Sequence, residues 1–130
     1  RWNNYKEAPV MQKRILVVDD DSLNLRRTQM ILEKQYDVVL AESGEQAIAK
    51  VIHQDFDLIL LDIAMPDMDG LETYKRMKNY SVDIPVIFLT ASGHEEDVLS
   101  AIRLGAINYL KKPFLPQELL RRIALGLGEK

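Results

Sequence analysis

Five short strand-like stretches, four of them aliphatic runs and each followed by a segment of helical pattern, constrain this chain more than any other feature. The stretches are Ile15-Leu16-Val17-Val18, Asp37-Val38-Val39-Leu40-Ala41, Leu58-Ile59-Leu60-Leu61, Pro85-Val86-Ile87-Phe88-Leu89 and Ile107 to Leu110. Stretches this short, bounded by charge, Pro or Gly, read as buried strands. Strands that alternate with helices give a parallel sheet covered on both faces and joined by right-handed crossovers. The expected fold is therefore α/β: a (βα)5, doubly wound, five-stranded parallel sheet.

The helices carry their own signals. Ser22 reads as the N-cap of a first helix of about a dozen residues, whose apolar spacing (Leu23, Leu25, Met30, Ile31, Leu32) is smeared. Ser43-Gly44-Glu45-Gln46 is a capping-box pattern, and Ala47, Ile48, Val51 and Ile52 give the second helix an apolar face. Gly70 leads into a third helix near Leu71 to Lys78. Glu95 to Leu104 reads as a fourth, stopped by Gly105 as the C′ residue. Pro116 suits the first turn of a fifth, with Leu119, Leu120, Ile123 and Leu127 on its buried side.

Composition removes several functions. A net charge of -3 argues against a nucleic-acid surface, because neutralising phosphates needs clustered Lys and Arg. With no cysteine there is no disulfide, thiolate metal site or cysteine nucleophile, which fits a reducing, cytoplasmic setting. No apolar run is long enough for a membrane span, and neither GxGxxG nor a P-loop is present. With 130 residues, one domain is expected. It is placed at 14–130. Residues 1–13 read as a linker or a remnant of added residues before Met11, with Trp2 and Tyr5 able to pack on a neighbour.

The chemistry gathers at the carboxyl ends of the strands, where open α/β sheets bind ligands. The first run ends at Asp19 and Asp20, the third at Asp62, the fourth at Thr90, and Lys112 follows the fifth. If the first and third strands are neighbours, three carboxylates, a hydroxyl and an ammonium share one rim. Clustered carboxylates repel, and a divalent cation relieves the repulsion. Oxygen donors suit Mg²⁺. One oxygen of Asp62 then remains free to act as a nucleophile, as aspartyl-phosphate chemistry requires. Lys112 and Thr90 can stabilise a phosphoryl group. Taken singly, each residue has an ordinary structural role, and it is the coincidence that carries weight. Asp21, Asp67 and Asp69 are expected to cap helices or shape loops, and His53 and His94 to be isolated surface residues.

The stretches Leu16-Val17-Val18-Asp19-Asp20-Asp21, Leu61-Asp62-Ile63-Ala64-Met65-Pro66-Asp67-Met68-Asp69-Gly70, Phe88-Leu89-Thr90-Ala91 and Asn108-Tyr109-Leu110-Lys111-Lys112-Pro113-Phe114, in this order, resemble the receiver domain of two-component response regulators. The resemblance runs over about residues 14 to 127. It implies the flavodoxin-like strand order 2-1-3-4-5. It further implies that Asp62 accepts a phosphoryl group from a phosphohistidine of a histidine kinase or histidine phosphotransfer domain. Mg²⁺, for which Mn²⁺ can substitute, would be held by Asp20, Asp62 and the backbone carbonyl of Ala64, with Asp19 acting mostly through water. Lys112 would contact the phosphoryl group, and the Lys112–Pro113 bond would be cis. Thr90 and Tyr109 would form the switch pair that alters the surface of the fourth helix, fifth strand and fifth helix. That surface would meet a downstream output domain or protein, and homodimerisation through it is left open. Ala64 and Ser92, both small here, occupy the variable positions that help set phosphoryl lifetime in such domains.

Two other readings compete. A Mg²⁺-dependent aspartyl-phosphate hydrolase would need a general acid two residues after its nucleophile, where this chain has Ala64, and a cap domain it has no length for. A receiver-like module signalling without phosphoryl transfer would have no use for Asp20, Asp62, Thr90 and Lys112 together. The cognate kinase and the output are not written in these residues.

Overall fold

The protein is seen in a computed structural model that describes residues 12–80, 82–91 and 94–129. The expectations for Trp2, Tyr5, Met11 and Ser92 lie outside the described residues. Strands β1 (Arg14–Val18), β2 (Asp37–Ala41), β3 (Leu58–Asp62), β4 (Val86–Thr90) and β5 (Asn108–Lys111) alternate with helices α1 (Ser22–Leu32), α2 (Gly44–His53), α3 (Gly70–Asn79), α4 (Glu95–Arg103) and α5 (Pro116–Gly126). All strand pairs are parallel, and their order is β2-β1-β3-β4-β5. β1 and β3 are therefore neighbours, as the shared rim requires.

The inner strands β1, β3 and β4 are apolar along most of their length because both faces are covered, whereas the edge strands β2 and β5 are only partly buried. Alternate side chains enter two separate cores. Leu16, Val18, Ile59, Leu61, Val86 and Phe88 pack with Ala47, Val51, Tyr74, Met77, Val98 and Ala101, residues of α2, α3 and α4. Ile15, Val17, Leu58, Leu60, Ile87 and Leu89 pack with Leu25, Leu32, Leu119 and Ile123 of α1 and α5. The period of two along each strand thus decides which helix layer a residue meets. It also decides what happens at the strand ends, since Asp62 continues the set Leu58, Leu60, and Asp19 continues Ile15, Val17.

Several details differ from the sequence expectation. The N-cap of α1 is Asp21, not Ser22. The Asp21 carboxylate accepts from the N–H groups of Leu23 and Asn24, and Ser22 is the first helical residue. An ionised acceptor at a helix start outcompetes a hydroxyl one residue on. The buried stripe of α1 is Leu25, Thr28 and Leu32, while Leu23 and Met30 are 68% and 59% exposed. In α2, Ser43 accepts from Gln46 N–H, but the Gln46 side chain returns to Glu42 N–H, one residue before the cap. Ile52 lies one step round from Val51 and is exposed. The third helix starts at Gly70 and ends at Asn79, and the fifth strand sits one residue later than expected. Gly105 has φ 114 and ends α4 as expected, with Leu104 as the C-cap residue. Asp67 has φ 67 and shapes the loop after β3. His53 is exposed, but His94 is not isolated: it precedes α4 with its Nδ1 3.5 Å from the Asp97 carboxylate.

The loop between β3 and α3 folds back on the sheet. Ile63 N–H donates to Leu89 O at 3.0 Å, and Gly70 N–H donates to Ile63 O at 2.8 Å. A Cβ at Gly70 would collide with the carbonyl of Asp62. Only glycine lets the start of α3 approach the site this closely. Asp69 caps that helix by accepting from Glu72 N–H at 2.8 Å. Asp69→Ala is expected to lower stability by about 1 kcal/mol, the usual cost of a lost carboxylate cap, in urea titrations.

Candidate functional site

The rim at the carboxyl ends of β1 and β3 is acidic. Asp19 and Asp62 are only 3% and 5% exposed, whereas Asp20 is exposed. One oxygen from each of the three lies within 4.8 Å of the others. Lys112 reaches over from the turn after β5. Its Nζ donates to Asp19 Oδ2 at 3.0 Å and to Asp62 Oδ1 at 3.1 Å. Asp19 is held further because its Oδ1 accepts from Asp21 N–H at 2.9 Å. The Lys112–Pro113 peptide is cis, as expected.

Burial governs the charges. Asp62 is pushed up from 3.8 to about 6, first by burial, partly offset by the Lys112 charge, then reinforced by the negative charges of Asp19 and Asp20. Burial opposes the charge on Lys112, but its hydrogen bonds and charge pairing with Asp19 and Asp62 outweigh this and hold it above its ordinary value. The folded protein therefore binds an extra proton at Asp62 between about pH 4 and 6. That protonated carboxyl contributes stability below the unfolded pKa and loses it as pH rises through about 6. In chelator, the difference in unfolding free energy between wild type and Asp62→Asn is expected to change by about 2 kcal/mol from pH 4 to 7. A pH-independent difference would sink the assigned environment of Asp62.

Thr90 and Tyr109 are placed differently from the acids. Thr90 falls on the other strand parity, toward α4, and is 4% exposed. Its hydroxyl donates to Ala91 O at 3.1 Å, not to a carboxylate. Tyr109 is 43% exposed. The two line one cavity of about 310 Å³ with Val98, Leu99 and Ile102. Arg122 was not anticipated: it donates to Tyr109 O and to Asn108 Oδ1, fixing the backbone that carries Tyr109. Its helical spacing on α5 gave no signal for this. Ala64 is exposed in the loop two residues after Asp62.

The family model described as the response regulator receiver domain matches residues 15–124. The chain belongs to this family. The receiver is the phosphorylation-dependent switch of two-component response regulators, a signalling module more than a classical enzyme. It is 40% identical to the alkaline phosphatase synthesis transcriptional regulatory protein PhoP of Bacillus subtilis (strain 168) over 114 residues, which is 87% of this chain and 48% of PhoP. It is 42% identical to the response regulator SaeR of Staphylococcus aureus (strain USA300) over 110 residues, 84% of this chain and 48% of SaeR. The receiver spans about half the length of these curated relatives. Among solved structures, a CheY-like receiver domain protein from Methanospirillum hungatei JF-1 superposes with a TM-score of 0.84 at 35% identity, covering 90% of this chain and 94% of that one. Among the described residues, no helix is long and apolar enough to cross a membrane.

Proposed function

We propose that Asp62 is the phosphoacceptor of this receiver. An Asp62 carboxylate oxygen attacks the phosphorus of a phosphohistidine on a histidine kinase or histidine phosphotransfer domain. The O–P bond forms, the P–N bond breaks and the imidazole leaves. The carrying observation is the burial of Asp62 beside two further acids and under a lysine that reaches across from another strand. Burial keeps bulk water from the nucleophile, and Lys112 offsets charge as it develops.

Three hard oxygen donors within 4.8 Å suit Mg²⁺ or Mn²⁺. Asp20, Asp62 and the Ala64 carbonyl would hold the ion, with Asp19 acting through water. When bound, it supplies charge neutralisation for phosphoryl oxygens. The chain's own residues do the rest. Asp19 positions the Lys112 ammonium, and Lys112 keeps Asp62 oriented through its Oδ1. Thr90 gives its hydroxyl to the phosphoryl group by leaving Ala91 O. The space that opens toward α4 then accepts the Tyr109 ring, and the α4–β5–α5 surface changes its affinity for a downstream partner or a second copy.

Residues 14–130 would form this unit and 1–13 a linker, in a cytoplasmic protein whose only chemistry is its own phosphorylation and dephosphorylation. Mass spectrometry after incubation with a small acyl phosphate and Mg²⁺ is expected to show one added phosphoryl group, lost with chelator. Sustained turnover of a phosphate ester would instead revive the hydrolase reading.

A further inference from the structure

Between α1 and the turn after β5 lies a cavity of about 320 Å³, within the range that takes small ligands. Asp19 and Lys112 form its inner edge, but Asp20, Asp62 and Thr90 do not line it. It thus runs away from the phosphoacceptor, along α1. One side is apolar, built by Leu89, Pro113 and Phe114. The other is a polar strip of α1, formed by Asn24, Arg27 and Thr28.

One group of that strip is buried and unpaired. Thr28 is only 5% exposed, and its hydroxyl has no hydrogen-bond partner among the described residues. Asn24 is half-buried and Arg27 exposed, and neither side chain has a partner among the described residues, so both are open to solvent and to a ligand. Buried polar groups are rarely left unpaired, because the desolvation cost is not recovered. A buried, unpaired hydroxyl at the wall of a cavity, as Thr28 is, offers a ligand a bond.

We propose that this cavity binds a small aromatic carboxylate. The flat ring lies against Phe114, Pro113 and Leu89, and a polar substituent bonds Thr28 and Asn24. The carboxylate pairs with Arg27 at the exposed end, because the Lys112 ammonium at the inner end is already paired with Asp19 and Asp62. Since Lys112 and Asp19 are shared with the acidic rim, an occupant is felt at the phosphoacceptor site. The binding itself does not depend on Asp62 being the acceptor.

The test uses the full chain, ¹⁵N-labelled and unphosphorylated, titrated with indole-3-carboxylate. The expected result is saturable amide shifts clustered at Asn24, Thr28, Leu89 and Phe114. Affinity should fall about fivefold in Arg27→Ala, the size of a lost, partly exposed charge pair. The neutral probe indole-3-carboxamide should bind correspondingly weaker, and the isosteric Thr28→Val should also weaken binding. Arg27 is exposed, so its variant is expected to fold. Shifts that stay absent up to the solubility limit overturn the proposal. So do shifts centred on Leu23 and Met30, or equal affinity for the acid and the amide. Because no phosphodonor is present, failure here is separate from failure of Asp62 as acceptor.

Discussion

Asp62→Asn is expected to abolish Mg²⁺-dependent phosphoryl uptake and, in the same protein, to raise metal-free stability near neutral pH. The first half follows from chemistry: an amide oxygen is not a nucleophile at phosphorus, and no other acid in the rim has the same setting. Asp20 is exposed, and Asp19 is tied by Lys112 and Asp21 N–H. The second half follows from burial. Asp62 is pushed up to about 6, so at neutral pH its ionised form is held against its environment. Asn resembles the protonated acid in shape and removes that cost, while the Lys112–Asp19 pair survives. The gain is expected to be about 2 kcal/mol, read as a shift in the urea midpoint at constant slope. A variant that is both unreactive and more stable separates a lost nucleophile from a lost fold. If the variant still gained one phosphoryl mass, another residue would be the acceptor. If it were less stable than wild type, the charge balance assigned to the rim would be wrong.

What the sequence made legible, and what it hid, divides along physical lines. Strands buried on both faces announce themselves as unbroken aliphatic runs, so the inner strands and the α/β class could be read directly. The residues of the rim were legible because strand ends in a parallel sheet fall along one edge. Their distances were not, because Lys112 reaches the acids across a loop whose path no local pattern encodes. Parity along the strands was present in the sequence but unused. Counting by twos from Ile15 and Leu58 places Asp19 and Asp62 on the α1/α5 side, and counting from Val86 places Thr90 on the other. Helix α1 looks smeared in the sequence because its buried stripe includes a hydroxyl residue, Thr28. The stripe Leu25, Thr28, Leu32 has helical spacing once a buried hydroxyl is admitted. Gly70 is legible as the entry to the third helix, but its close backbone approach to Asp62 depends on tertiary structure that no local pattern encodes.

Lys112→Met should have the opposite effect on stability. In wild type the ammonium sits between two carboxylates that are almost fully buried, at 3.0 and 3.1 Å. Removing one member of a buried ionic group leaves the others uncompensated, which costs about 3 kcal/mol or more. Methionine keeps much of the aliphatic stem, so lost packing contributes little to the change. In chelator at neutral pH the variant should unfold at a distinctly lower urea concentration than wild type. Mg²⁺ should recover part of the loss, since the ion supplies positive charge that the side chain no longer provides. The double variant Asp62→Asn with Lys112→Met decides the cause. With only Asp19 left charged and buried, Asp62→Asn should stabilise the Lys112→Met protein by more than it stabilises wild type, giving a coupling of about 1–2 kcal/mol between the two positions. Additive effects would mean that Lys112 acts through packing alone, and its proposed contact with the phosphoryl group would lose its electrostatic basis.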